Sequence, residues 1–500
     1  MTTPAVAARD VRLRSPGPMN QPLQQPGADA PPAYSPGLRT ALVLTGTGTA
    51  GAYHAGALRA LHEAGVKIDI VAGRGVGAVG ALFAAIDGAS RLWEPKGLWR
   101  GRSADRLYPW RGLFRLAGWT VLAVLAVLCV PLAGLALGLI VYPLDFLLHL
   151  VSLDRGGALA AAYVRLVEAA FAGPALPTLV PRLVVFLLGL LLVAVTGAAI
   201  GRLWHERRRT RGHVWWKLWG APLASAPGIG WACSGLWRLM GGAAAGLKQP
   251  PPRDLGRRYA ELLAENLGQP GFRELLLTAF DLDAGRDLFF ALLAEPRRHD
   301  FFRQPAGAGA GRLAEALDLA GVGRDHLLDA LAGALSLPVA TEPHLIHFAP
   351  ESAWQGETHR LCDRPGALGR LLEEVAAAGA RQVILVTAAP ELTGPHHLMA
   401  GVADPRRRAG EYVARMEAAE LRDAIAGAHG LVERLFEIRP RHNPLGPLDF
   451  SGCYDEHSDR TLTRDELIDR GYEDAYHQFV EPVVGASGDR LESGAPGLER

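Results

Sequence analysis

Cysteine is scarce in this chain of 500 residues: Cys129, Cys233, Cys362 and Cys453 are scattered without a framework. That excludes a small disulfide-stapled secreted fold and fits a reducing compartment. Lysine is as scarce, since all but four of the 52 basic residues are arginine; we read this as a genomic composition bias of bacterial type. An excess of either charge is missing too. The formal net charge of +1 supplies no field that would gather nucleic acid, and no nucleic-acid partner is expected. The Pro-, Ala- and Gln-rich N-terminus up to about Gly37 has no apolar run of signal-peptide length and reads as a disordered arm. No internal repeat is evident.

What is present begins at residue 39. Arg39 to Leu44 reads as a short buried strand, followed by the turn Thr45-Gly46-Thr47-Gly48-Thr49-Ala50-Gly51 and a helical stretch with Ala57, Leu58 and Leu61 on one face and Gly65 as a stop. A second strand, Ile68 to Ala72, runs into Gly73-Arg74-Gly75-Val76-Gly77. The same loop also fits a dinucleotide fingerprint, Gly46-x-Gly48-x-x-Gly51, but the acidic residue that motif wants at the end of the second strand is absent, Asp69 lying near its start.

This order of elements resembles the start of the patatin-like phospholipase family: strand, Gly-Gly-Gly-x-Arg-Gly oxyanion loop, helix, strand and Gly-x-Ser-x-Gly elbow. The resemblance implies an acyl-ester hydrolase in which loop amides at a helix N-terminus stabilise an oxyanion. Against it, Gly75 stands at the serine's place, Thr47 at the middle glycine's and Ala50 at the arginine's. Gly46, Thr47, Gly48 and Gly51 would form the oxyanion loop, and Gly73 and Gly77 the elbow. The family's downstream aspartate is best matched by Asp363, on its place in the order of elements, since Arg364-Pro365 replaces the small residues of the family motif. A surface aspartate opening a turn before Pro365 is the competing reading.

Hydrophobic runs give the second signal. Leu116 to Leu144 has no charged residue, nor has Leu183 to Gly201, and each is long enough for a membrane-spanning helix. Basic residues before the first run (Lys96 to Arg115) and after the second (Arg202 to Lys217) outnumber those between, so both outer ends are expected in the cytoplasm. Ten of the eleven tryptophans fall between Trp93 and Trp237, as a bilayer interface favours, and Leu218 to Trp237 reads as an interfacial or re-entrant segment.

Downstream, Phe272 to Phe280 and the stretch to Phe290 read as strand, turn and strand, Leu313 to Leu337 as largely helical, and Leu345 to Phe348, Gln382 to Thr387 and Leu435 to Ile438 as strands. His344-x-x-His347 with His359-x-x-Cys362 only superficially resembles a zinc set, because residues three apart on a strand face opposite ways. Asp455, Asp459 and Glu466 mimic a calcium loop without its glycine; Thr463-x-x-Glu466 fits better as a capping box for a helix Arg464 to Phe479. His396-His397 reads as a solvated loop pair.

The expectation is an α/β fold, a patatin-like sheet covered by helices and split by an inserted transmembrane hairpin. Its parts would be an arm (1–38), a first half-domain (39–92), a membrane insertion (93–250), a second half-domain (251–450) and a C-terminal helix and tail (451–500). The expected role is lipid or acyl-chain binding, or scaffolding, at a bacterial inner membrane, without cofactor or metal and with phospholipid or fatty-acyl ligands. An active phospholipase or lysophospholipase with an atypical nucleophile, and a nucleotide-binding membrane module, are the alternatives.

Overall fold

The computed structural model describes residues 34–151, 157–205, 220–242, 246, 248–303, 314–350, 352, 354–387, 389, 405–428, 430–440 and 463–485. Its strands are β1 (Thr40–Gly46), β2 (Ile70–Gly75), β3 (Glu274–Asp281), β4 (Arg286–Leu292), β5 (Glu315–Asp318), β6 (His344–His347), β7 (Thr358–Cys362), β8 (Gln382–Thr387) and β9 (Arg434–Ile438). They form one sheet in the order β5-β4-β3-β2-β1-β8-β9, with β7 paired to the end of β3 and β6 to β7. The centre is parallel: β1 lies between β2 and β8, β2 pairs with β3, and β8 with β9.

Alternation along the central strands explains why the sheet is covered on both sides. Leu42, Leu44, Val71, Ile384 and Val386 enter one core with the helices Ala50–Glu63, Gly77–Ala85, Pro252–Asn266, Leu327–Ala334 and Arg464–Ala475. Ala41, Val43, Ile70, Ala72, Val383 and Leu385 enter the other, under Phe301, the helix Leu368–Ala377 and the end of the helix Pro405–Ala428. The expected α/β sheet is therefore present. It joins residues from both sides of the apolar insertion, since β2 pairs with β3 and β1 with β8.

An apolar insertion leaves the sheet domain and returns to it between Trp110 and Leu223. Its neck is a short antiparallel bridge in which Trp110 faces Leu223, Arg111 N donates to Pro222 O (3.0 Å) and Ala224 N donates to Pro109 O (3.0 Å). From it rise two helices, Gly112–Leu150 and Leu176–His205, which pack on each other. Both are long and apolar enough to cross a membrane. Their candidate spans, Leu132–Leu150 and Pro181–Ala198, are almost wholly outward-facing. Exposed apolar side chains begin earlier on the first helix, at Leu116 and Trp119 within the charge-free run, and near its end the Asp145 carboxylate accepts from Ala160 N (3.0 Å) at the start of the helix Ala158–Ala170, which folds back so that Tyr163 Oη reaches Gly134 O (3.0 Å).

Tertiary packing also reassigned several segments. Within the stretch read as interfacial or re-entrant, Ala226–Gly241 is a regular helix whose Trp231, Cys233 and Leu236 enter the first core, where Trp231 meets the fully buried Trp99 edge-on at 4.8 Å. These tryptophans thus pack in the core beside the sheet. The first part of the stretch read as helical is strand β5, drawn into the sheet beside β4, and only Leu327–Ala334 is α-helix. The strand β7 gave no sequence signal of its own. Tyr34, placed in the arm, is buried against Phe479 and exchanges hydrogen bonds with Lys67. The capping box of Thr463 and Glu466 is formed, and its helix continues as π turns to Gly485. Residues 1–33, the His396-His397 pair, Asp455 and Asp459 lie outside the described residues.

Candidate functional site

The site is built where β1 and β2 end side by side, with Gly46 opposite Gly75 in register. After β2 the chain turns at once into the buried helix Gly77–Ala85, and Gly75 takes φ +57°, the left-handed conformation that such an elbow imposes on its central residue. Gly77 allows the turn to lie against β1: a Cβ there would stand 2.1 Å from Leu44 O. Gly73 meets the backbone of Ala78 in the same way. On the other side Thr47 and Gly48 form the turn into the helix Ala50–Glu63, and Gly51 lies under Trp99, whose ring would be 2.0 Å from any added Cβ. The sequence-predicted loop and elbow residues are thus brought together.

The interval between loop and elbow is closed. Val76 N donates to Gly46 O (3.0 Å), and a Cβ built on Gly75 would stand 2.3 Å from the same carbonyl oxygen and 3.2 Å from Asp363 Oδ2. Asp363 is therefore no surface turn residue. It is 1% exposed at the end of β7, its amide donating to Ser336 O (2.7 Å). Neither carboxyl oxygen has a hydrogen-bond partner of ordinary geometry among the described residues. Burial pushes its pKa up to about 6, and the nearby Arg74 guanidinium offsets only part of that.

Arg74, the second residue of the elbow, is the group that sequence reasoning passed over. It is 1% exposed. Its Nε donates to Thr45 Oγ1 (2.9 Å) and Nη1 to Arg364 O (3.0 Å), Nη1 lies 3.5 Å from Asp363 Oδ2, and Nη2 pairs with Glu417. Glu417, on the helix Pro405–Ala428, also accepts from Thr47 Oγ1 (2.7 Å). So Thr47 is bonded into the site, and the Arg74 guanidinium reaches it from the end of β2, while Ala50 is buried at the start of the following helix. A polar pocket between the ends of β1 and β8, lined among others by Thr45, Arg74, Thr387, Glu417 and Glu420, has a cavity volume of about 10 Å³. That holds about one water and no acyl chain.

A family model, Patatin-like phospholipase, matches residues 42–363, from inside β1 to Asp363. The chain belongs to the patatin-like phospholipase family. Over 70 residues it is 43% identical to Patatin-like phospholipase domain-containing protein 6 of Mus musculus, and equally to the proteins of that name from Pongo abelii and Homo sapiens. The matched stretch is 14% of this chain and 5% of those proteins, so the chain spans a small fraction of these relatives' length. Within this patatin-like chain Glu417 lies beyond the family match, and a segment outside the matched region holds the loop and the elbow together.

Two further groups escaped the sequence reading. His54, wholly buried on the glycine-loop helix, is held neutral by burial, which lowers its pKa to about 4, and its Nε2 is 3.1 Å from Thr45 O. Tyr108 donates to Leu335 O (2.9 Å); burial, then the neighbouring Asp363, raises its pKa. A charged Arg74 between glycines at the end of an apolar strand was a usable signal. Glu417 gave none, because its helix is polar and remote in sequence. His344 instead bonds Asp329, His347 bonds Thr358, and His359 lies between Asp281 and Glu357. Among the described residues no three or more His, Cys, Asp or Glu side chains are grouped to hold a metal. Asp69 accepts from Thr40 N (2.9 Å), at the opposite end of β2 from the glycine loop.

Proposed function

We propose that this chain is a membrane-anchored patatin-like protein that engages phospholipid or acyl chains without serine-based hydrolysis. One observation carries the reading. At the elbow there is no hydroxyl, and the Gly46 carbonyl occupies the space a side chain on Gly75 would need while taking the Val76 amide. In acyl hydrolases of this design the amide after the nucleophile faces the developing oxyanion. Here it is bonded to the loop, and Thr47, Arg74 and Glu417 hold that closed arrangement.

Anchoring rests on the two outward-facing apolar helices that leave and return through one neck. A hairpin of that kind keeps the body on a single side, and the arginine-rich flanks favour the cytoplasmic face of a bacterial inner membrane. The family supplies the lipid class of ligand. A second reading, hydrolysis by water, draws support from the buried Asp363 carboxyl beside the elbow, whose one close charged neighbour among the described residues is Arg74 at 3.5 Å and whose pKa is raised.

The test is release of labelled fatty acid from phospholipid micelles by purified wild type and Gly75→Ser, with acyl-lipid binding measured in parallel. Saturable binding with no product from the wild type is expected, and Gly75→Ser should stay silent because its Cβ meets backbone that must move. An active serine variant would show that the loop yields and that the nucleophile is the sole defect. Turnover by the wild type, abolished in Asp363→Asn, would overturn the proposal in favour of water activation.

A further inference from the structure

Val339 is the most conspicuous apolar residue of the soluble body: it is 94% exposed and takes φ +66°, a left-handed conformation that a β-branched side chain strongly resists. The turn that imposes it is tight, Ala340 N donating to Pro338 O at 2.7 Å. Strain and exposure of this kind persist only where the surroundings fix them, and here they do. Ala340 O accepts from Leu223 N (2.9 Å) and Glu342 pairs with Arg111, so both sides of the insertion neck are bound to this loop. Val339 therefore projects within one residue of the neck. Trp110, in the neck bridge itself, is 41% exposed.

We propose that the turn Pro338–Ala340, tipped by Val339 and accompanied by Trp110, is a lipid-contacting element that enters the interfacial layer of the bilayer and seats the soluble body on it. This rests on the membrane-anchored reading. The depth agrees: beyond Arg115 the helix that leaves the neck at Gly112 is apolar, and its exposed Leu116 and Trp119 lie about 6 Å and about 10 Å along the axis from Gly112. The bilayer therefore begins beside the neck, at the level of an indole and an exposed valine, which are side chains suited to that layer. The same loop starts at Ser336, whose carbonyl holds the Asp363 amide, so lipid contact at Val339 bears on the loop that positions the site.

The experiment places a benzophenone amino acid at single positions of the full chain in phospholipid vesicles and scores lipid adducts after irradiation. Position 339 is compared with Leu139, 79% exposed within the candidate span, and with Leu431, 43% exposed before β9 at the end of the sheet opposite the site. Adducts at 139 and 339, several-fold above those at 431, are expected. Labelling at 139 but not at 339 would overturn this inference and leave anchoring intact. No labelling at 139 or 339 would overturn both. A yield at 339 no higher than at 431, or an adduct at 339 to a second copy of the chain in place of lipid, would also overturn it.

Discussion

The helices Gly77–Ala85 and Leu176–His205 are both apolar around their whole circumference, yet they have opposite surroundings. Every residue of the first is buried, whereas the apolar window of the second contains no buried residue although the helix packs along its hairpin neighbour. A helix without a polar face needs apolar matter on all sides, and a protein can supply it from its own core or leave it to lipid. The elbow helix achieves closeness through glycine and alanine, which let backbone meet backbone. The hairpin helix carries large aliphatic side chains, which touch the other hairpin helix on one side and face outward on the rest.

That contrast can be broken most sharply by charge. Leu82→Arg places an unpaired cation in the first core and should cost more than about 4 kcal/mol, abolishing the cooperative thermal transition of the purified protein. Val193→Arg, at a position 69% exposed, should leave that transition in detergent unchanged while reducing membrane integration, by about 2.5–3.5 kcal/mol on insertion, seen as protein lost from the membrane pellet. Equal damage in both assays would mean that the hairpin helix is a core element after all.

The close approach of helices in the body gives the next effect. Gly56 and Gly471 are where the glycine-loop helix crosses the C-terminal one, and a Cβ on Gly56 would lie 1.8 Å from Ile468 O. Gly56→Ala should lower stability by roughly 3 kcal/mol, whereas Gly189→Ala in the hairpin, with nothing within 4 Å, should be neutral in the same melts.

A smaller effect is set by protonation. Asp363 has its pKa at about 6 in the fold, against about 3.9 for an aspartate in an unfolded chain. The fold therefore holds this proton more tightly. The stability it contributes is complete below about pH 4 and is lost as pH rises through about 6. Between pH 5 and 7.5 the wild type should lose roughly 1–2 kcal/mol from this group, and Asp363→Asn should remove that slope. Melting temperatures of both proteins at the two pH values check it; parallel slopes would count against the buried, poorly partnered carboxyl.

Much of the site was readable because its elements are contiguous. Glycines at fixed spacing between a strand and a helix carry their own geometry, and Gly46, Thr47, Gly48, Gly51, Gly73, Gly75 and Gly77 all lie within 32 residues of one another. Asp363 was found by order alone, and its burial could not be, since Arg364-Pro365 looks like the start of a surface turn. The structure makes Arg364 a buttress, bonded twice to Asp287 on β4. Local pattern misled at β5, four residues whose strand character comes from pairing with β4, and at Trp99 and Trp231, whose indoles suit a bilayer interface and a soluble core equally well.

By itself the sequence determined what is local and covalent: a strand-to-helix turn with glycine at position 75, a glycine-rich turn ahead of a helix, a capping box, and two long charge-free apolar runs. The tertiary structure alone decided which distant groups share a space. It brought Glu417 to Thr47 and Arg74, set the Gly46 carbonyl into the gap beside Gly75, and tied the Val339 turn to the hairpin neck. The physical reason is that turn geometry and hydrophobic runs follow from neighbouring residues, whereas the packing that closes this site and leaves the hairpin uncovered depends on contacts hundreds of residues apart.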